Sequence, residues 1–133
     1  MMTQTNGSQS KSVNLNQIEK IRISIVDDSR VIREGLRVTL ETETDFDIVG
    51  MANNGKSAIE LIKDRQPDIV IMDIGMPKLN GIISTQVISE RFTGTKVVIY
   101  SDHAENTYIS QSLEAGAKGY FLKKHRLRKS YKV

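Results

Sequence analysis

From residue 21 onward, short apolar runs alternate with stretches whose apolar residues recur every three or four positions. The runs at 22–26, 47–52, 69–72, 96–100 and 119–122 have the length and composition of strands. Between them, Ile32, Leu36 and Leu40 repeat at i, i+4 and i+8 and predict a first helix, while Ala58, Ile59, Leu61 and Ile62 predict a second. Ile83, Val87 and Ile88 predict a third, and Tyr108, Ile109 and Leu113 a fourth. Strands alternating with helices imply βαβ units and a parallel sheet. Nearly continuous apolar strands such as 69–72 imply that helices cover both sheet faces, which gives a doubly wound α/β fold.

Turn chemistry falls where this scheme needs it. Asn54-Gly55 precedes the second helix, Gln66-Pro67 precedes the third strand, and Gly116 follows the fourth helix.

The 133-residue length suits one domain with a proper core. Residues 1–20 are rich in Gln, Asn, Ser and Thr and lack the apolar centre of a secretory signal, so they are expected to be a flexible leader. The domain is expected to run from 21 to 123, followed by a short basic tail over 124–133. The net charge of +3 belongs to the end of the chain: Lys123, Lys124, Arg126, Arg128, Lys129 and Lys132 supply six positive charges, and the remainder carries −3. A basic face on the folded part is therefore not implied, and nucleic-acid binding by this chain alone is not expected. The absence of cysteine excludes disulfides and thiolate metal sites and fits a reducing, cytoplasmic setting. No apolar run approaches the roughly 20 residues that span a bilayer, so no membrane partner is expected.

In open parallel sheets, ligands bind beyond the carboxyl ends of the strands. The polar residues of this chain gather at those ends. Asp27 and Asp28 follow the first strand, Asp73 the third, Ser101 the fourth and Lys123 the fifth. Three converging carboxylates repel one another unless a cation lies among them, and carboxylate oxygens suit a hard ion such as Mg²⁺. A carboxylate can also be the nucleophile that accepts a phosphoryl group, with Lys123 and the Ser101 hydroxyl as donors to its oxygens. Taken alone, Asp27-Asp28 also suits a helix N-cap, Tyr120 a half-buried strand aromatic, and His103 a solvated loop residue.

Several blocks resemble the signatures of response-regulator receiver domains: Val26-Asp27-Asp28-Ser29, Met72 to Gly81 around Asp73, Ser101, and Gly116 to Lys123. The resemblance covers about residues 21–123, and its Met-Pro-x-x-Asn-Gly and Gly-Ala-x-Gly-Tyr elements are most similar to NarL-type receivers. It implies a five-stranded sheet of order 2-1-3-4-5, with Asp73 as the phosphoacceptor and Asp27, Asp28, Asp73 and the Gly75 backbone carbonyl around Mg²⁺. It further implies Ser101 as the hydroxyl that closes on the phosphoryl group, Lys123 as the pairing lysine, and Tyr120 as the switch aromatic. The implied partner is a sensor histidine kinase, with a second copy or a downstream protein reading the change of shape. On this reading the chain is a phosphoacceptor rather than an enzyme in the usual sense.

The chain departs from that pattern after Lys123, where eleven residues counting Lys123 predict an incomplete fifth helix and a poorly covered sheet edge. NarL-type relatives usually continue into a helix-turn-helix, for which no residues remain here. Two other functions fit less well. A flavodoxin-like phosphate cradle would meet Asp27 and Asp28 where it needs neutral donors. A phosphatase with an aspartyl nucleophile would want an acid at position 75, which is Gly75.

Overall fold

A computed structural model describes residues 19–76 and 80–123. Its elements run in the order β1 Ile21–Val26, α1 Arg30–Glu41, β2 Phe46–Ala52, α2 Gly55–Arg65, β3 Ile69–Met72, α3 Gly81–Arg91, β4 Lys96–Ser101, α4 Asn106–Glu114 and β5 Gly119–Leu122. All four strand pairings are parallel and the sheet order is β2-β1-β3-β4-β5. The expected five strands, four helices and 2-1-3-4-5 order are all present. Boundaries move by one residue at Ile21, Phe46 and Ser101, the last of which ends β4 instead of following it.

Alternate strand residues divide between the two faces. Val26, Val70, Met72, Val97 and Ile99 pack with Ala58 and Ile62 of α2 and Ile88 of α3 in one buried cluster. Ile23 and Ile25 alternate with Ser24 and Val26 and are buried on the opposite face, where α1 lies over β1 and β2. Cover on that face thins toward β5: Ile71, Val98 and Tyr100 are half-buried, and Phe121 is 59% exposed. All but residues 19 and 20 of the expected leader (1–20), and the expected incomplete fifth helix over 124–133, lie outside the described residues.

Helix ends follow their sequence signals. Asn54 Oδ1 accepts from the Ser57 amide and caps α2, and Asn80 Oδ1 accepts from Ile82 and Ile83 and caps α3. Gln66 closes α2 at φ 50°, an αL position that Pro67 then prevents from continuing as helix. Gly116 takes φ 115° after α4, which a side chain would resist.

The apolar stripes of α1 and α4 seat less deeply than their spacing predicts. No residue of α1 is fully buried: Ile32, Leu36 and Leu40 are half-covered. In α4 the buried position is Ser112, whose hydroxyl has no hydrogen-bond partner, while neighbouring Leu113 is 49% exposed. In α3, Ile88 is buried and Ile83 is exposed. Among the described residues no helix is long and apolar enough to cross a membrane.

Candidate functional site

The strand registers level the carboxyl ends of β1, β3, β4 and β5. Val26 pairs with Met72, Met72 with Ile99, and Ser101 with Leu122, so the residues just beyond share one rim. The Asp73 amide donates to the Val26 carbonyl at 2.9 Å, which continues the ladder and sets Asp73 beside Asp27. One oxygen from each of Asp27, Asp28 and Asp73 lies within 4.8 Å of the others. Together with Gly75, Ser101, His103 and Lys123 they line a cleft of about 490 Å³.

Ser29, and neither aspartate, supplies the side-chain cap of α1, its Oγ accepting from the Ile32 amide. Asp27 is nearly enclosed, 2% exposed, with every polar group engaged. Its Oδ1 accepts from the Ser29 amide at 2.9 Å, its Oδ2 from Lys123 Nζ at 2.9 Å, and its carbonyl from Arg33 Nη1 at 2.7 Å. Asp28 is exposed at the mouth of the cleft.

Lys123 Nζ also lies 3.7 Å from Asp73 Oδ1, so one ammonium spans the carboxylates of two strands. Burial pulls the pKa of that ammonium down, but the hydrogen bond to Asp27 and the charges of Asp73 and Asp27 outweigh it and hold the lysine above its ordinary value. The opposite balance holds at Asp73. Burial and the neighbouring Asp27 charge push its carboxyl above the ordinary aspartate value, against the pull of Lys123. A carboxylate strained in this way gains from any cation placed beside it. Three clustered carboxylate oxygens suit a hard divalent ion that keeps some of its waters.

Asp73 is further set by α3. Gly81 donates its amide to the Ile74 carbonyl at 2.9 Å, and a Cβ at this glycine would collide with the Asp73 carbonyl oxygen. Helix α3 therefore starts directly against the Asp73 backbone. The loop residues Pro77 to Leu79 lie outside the described residues.

Ser101 is fully buried at the end of β4, its Oγ accepting from the His103 amide at 3.1 Å. The Tyr120 hydroxyl donates to the His103 carbonyl at 2.6 Å, so this one residue joins Ser101 to Tyr120. Burial raises the Tyr120 phenol above its ordinary pKa, so it stays a donor. The His103 ring lies over Tyr108, centroids 4.5 Å apart, at the wall of the cleft. His103 is the partly solvated loop residue that the sequence suggests, its side chain 41% exposed, and what sequence reasoning missed is the engagement of its backbone with Ser101 and Tyr120. The available signal was its place two residues past Ser101, the spacing of a hydroxyl-capped turn. Arg33 was also passed over, although a cation in the first turns of a helix opposes the helix dipole and implies another partner.

Residues 23–132 match the family described as the response regulator receiver domain. The chain belongs to the response-regulator receiver family. It is 39% identical over 104 residues to the transcriptional regulatory protein DegU of Brevibacillus brevis, covering 78% of this chain and 44% of that protein. It is 38% identical to the oxygen regulatory protein NreC of Staphylococcus haemolyticus, covering 77% and 48%. The receiver thus spans a little under half the length of these relatives. Among solved structures, the signal receiver domain of the putative response regulator NarL from Mycobacterium tuberculosis superposes with a TM-score of 0.76 at 34% identity, over 79% of this chain and 85% of that one. A CheX-CheY-BeF3-Mg complex from Borrelia burgdorferi gives 0.73 at 29% identity, over 83% of each chain.

Proposed function

We propose that this receiver accepts a phosphoryl group on Asp73 from a phosphohistidine of a sensor kinase, in the cytoplasm, and signals by changing shape. The observation that carries this reading is the position of Lys123, its ammonium 2.9 Å from Asp27 and 3.7 Å from Asp73 with Asp28 at the cleft mouth. That set pairs a nucleophilic carboxylate with a cation able to hold a phosphoryl oxygen and an acidic pair able to hold a metal.

In the transfer, an Asp73 carboxylate oxygen forms the new P–O bond as the P–N bond to the donor imidazole breaks. The imidazole nitrogen keeps that electron pair and takes up a proton from solvent. Asp27, Asp28, Asp73 and the Gly75 carbonyl would hold Mg²⁺, which when bound neutralises charge on the phosphoryl oxygens. Lys123 holds a phosphoryl oxygen from the other side. Burial already disfavours the Asp73 charge, so little water shields it from these cations.

Ser101 then gains an acceptor, since a phosphoryl oxygen offers its hydroxyl a partner present only in the modified state. Movement of Ser101 disturbs the hydrogen bond that its Oγ accepts from the His103 N–H, and through the His103 carbonyl it reaches Tyr120. The output surface proposed is α4 with β5, where Leu113 is 49% exposed and available to a second copy or a downstream protein. The likeness to DegU, a transcriptional regulatory protein, supports a place for this reading in transcriptional regulation.

Beryllofluoride with Mg²⁺ tests the reading in solution. Amide NMR shifts are expected at Asp73, Ser101, His103 and Tyr120, and none in Asp73→Asn. Shifts confined to residues 27, 28 and 73 would remove the coupling to Tyr120.

A further inference from the structure

We infer that Arg33 is a positioning residue for the divalent-metal site, acting through the peptide bond that joins Asp27 to Asp28. This inference rests on the metal reading proposed above. Arg33 stands on α1, six residues beyond Asp27, and its Nη1 donates to the Asp27 carbonyl at 2.7 Å. That oxygen belongs to the planar unit running from the Cα of Asp27 to the Cα of Asp28. Holding it restrains rotation on both sides of the plane, and therefore the relative orientation of the two carboxylates.

The rest of the turn leaves this plane in need of a brace. The Asp27 side chain is fixed independently, by the Ser29 amide at 2.9 Å and Lys123 at 2.9 Å. Asp28 is exposed, and neither an ion pair nor a side-chain hydrogen bond to Asp28 occurs among the described residues. Its direction is consequently set by its backbone alone. Repulsion among Asp27, Asp28 and Asp73 drives the exposed member outward, and the restrained plane opposes that drift.

The chemistry of the side chain fits the task. A guanidinium stays charged at every working pH and presents several donors in a rigid fork, so it holds a carbonyl at fixed geometry. Its placement near the N-terminus of α1 runs against the helix dipole, in a first turn with no acidic residue. The partner that offsets this cost is the carbonyl between the acids.

The chain contains a matched control. Arg65 Nη1 donates to the Val49 carbonyl, also at 2.7 Å, away from the cleft. The experiment titrates Mg²⁺ into the metal-free chain by calorimetry, for wild type, Arg33→Met, Arg33→Lys, Arg65→Met and Asp28→Asn, with thermal unfolding recorded for each. Arg33→Met is expected to weaken Mg²⁺ binding about tenfold, the lower end of what losing a group behind the ligands costs. Arg33→Lys should recover part of that loss, and Arg65→Met should bind Mg²⁺ as wild type does even if it melts earlier. Wild-type Mg²⁺ affinity in Arg33→Met, or an equal loss in Arg65→Met, would overturn the assignment. Undiminished affinity in Asp28→Asn would overturn the metal reading, and the brace with it.

Discussion

The Tyr120 hydroxyl donates to the carbonyl of His103 at 2.6 Å, while the amide of the same residue donates to Ser101 at 3.1 Å. The aromatic and the hydroxyl residue are therefore latched through one backbone residue in the unmodified chain. Tyr120→Phe removes one arm and leaves the ring. It should lower stability by about 1 kcal/mol, the usual worth of one such bond, or several degrees of melting temperature. The amides of residues 101–105 should broaden or shift in NMR spectra, while those of β1 stay in place. Unchanged signals over 101–105 would show that the latch does not hold the loop.

Gly81 presses α3 against the Asp73 carbonyl, and a methyl group there would meet backbone atoms that cannot move without moving Asp73. Gly81→Ala should cost roughly 1 to 3 kcal/mol, the scale of overpacking with a backbone shift. It should also slow phosphorylation of the folded fraction at least severalfold. Gly35, on α1, has nothing near its missing side chain, so Gly35→Ala serves as the comparison. Equal melting temperatures for the two variants would contradict the close approach.

The Asp73 carboxyl is held above its ordinary value of 3.8, first by burial and then by Asp27. A raised pKa means that the folded chain binds this proton more tightly than the unfolded chain does. The stabilisation is complete below 3.8 and is lost as pH rises through the folded value. Without metal, Asp73→Asn should therefore melt at a higher temperature than wild type at pH 7. The gap should close as pH falls toward 3.8, and narrow on adding Mg²⁺ at pH 7. A gap that does not vary with pH would assign the effect to packing.

Much of this architecture was legible in the residues. Strand and helix periods differ enough to separate nine elements, and registering the strand ends brings Asp27, Asp73, Ser101 and Lys123 to one rim without further information. What escaped depends on rotation and on backbone partners. The spacing of Tyr108, Ile109 and Leu113 names a stripe but not the helix angle, and α4 turns Ser112 inward and Leu113 toward solvent. His103 is held by its amide and carbonyl, which carry no side-chain signature. Arg33 reaches a carbonyl, an acceptor that every residue possesses. The capping role open to Asp27 and Asp28 went instead to Ser29, a choice that rests on the φ of −90° and ψ of 119° at that residue.

On the function proposed, Asp73 alone takes the phosphoryl group. Incubation with acetyl phosphate and Mg²⁺, followed by intact-mass and fragment-mass measurement, tests it most directly. The wild type should gain one phosphoryl group, mapped to Asp73, lost on chelating Mg²⁺ before the reaction and absent from Asp73→Asn. A phosphoryl group of the same yield on Asp73→Asn, or one mapped to another residue of the wild type, would contradict it.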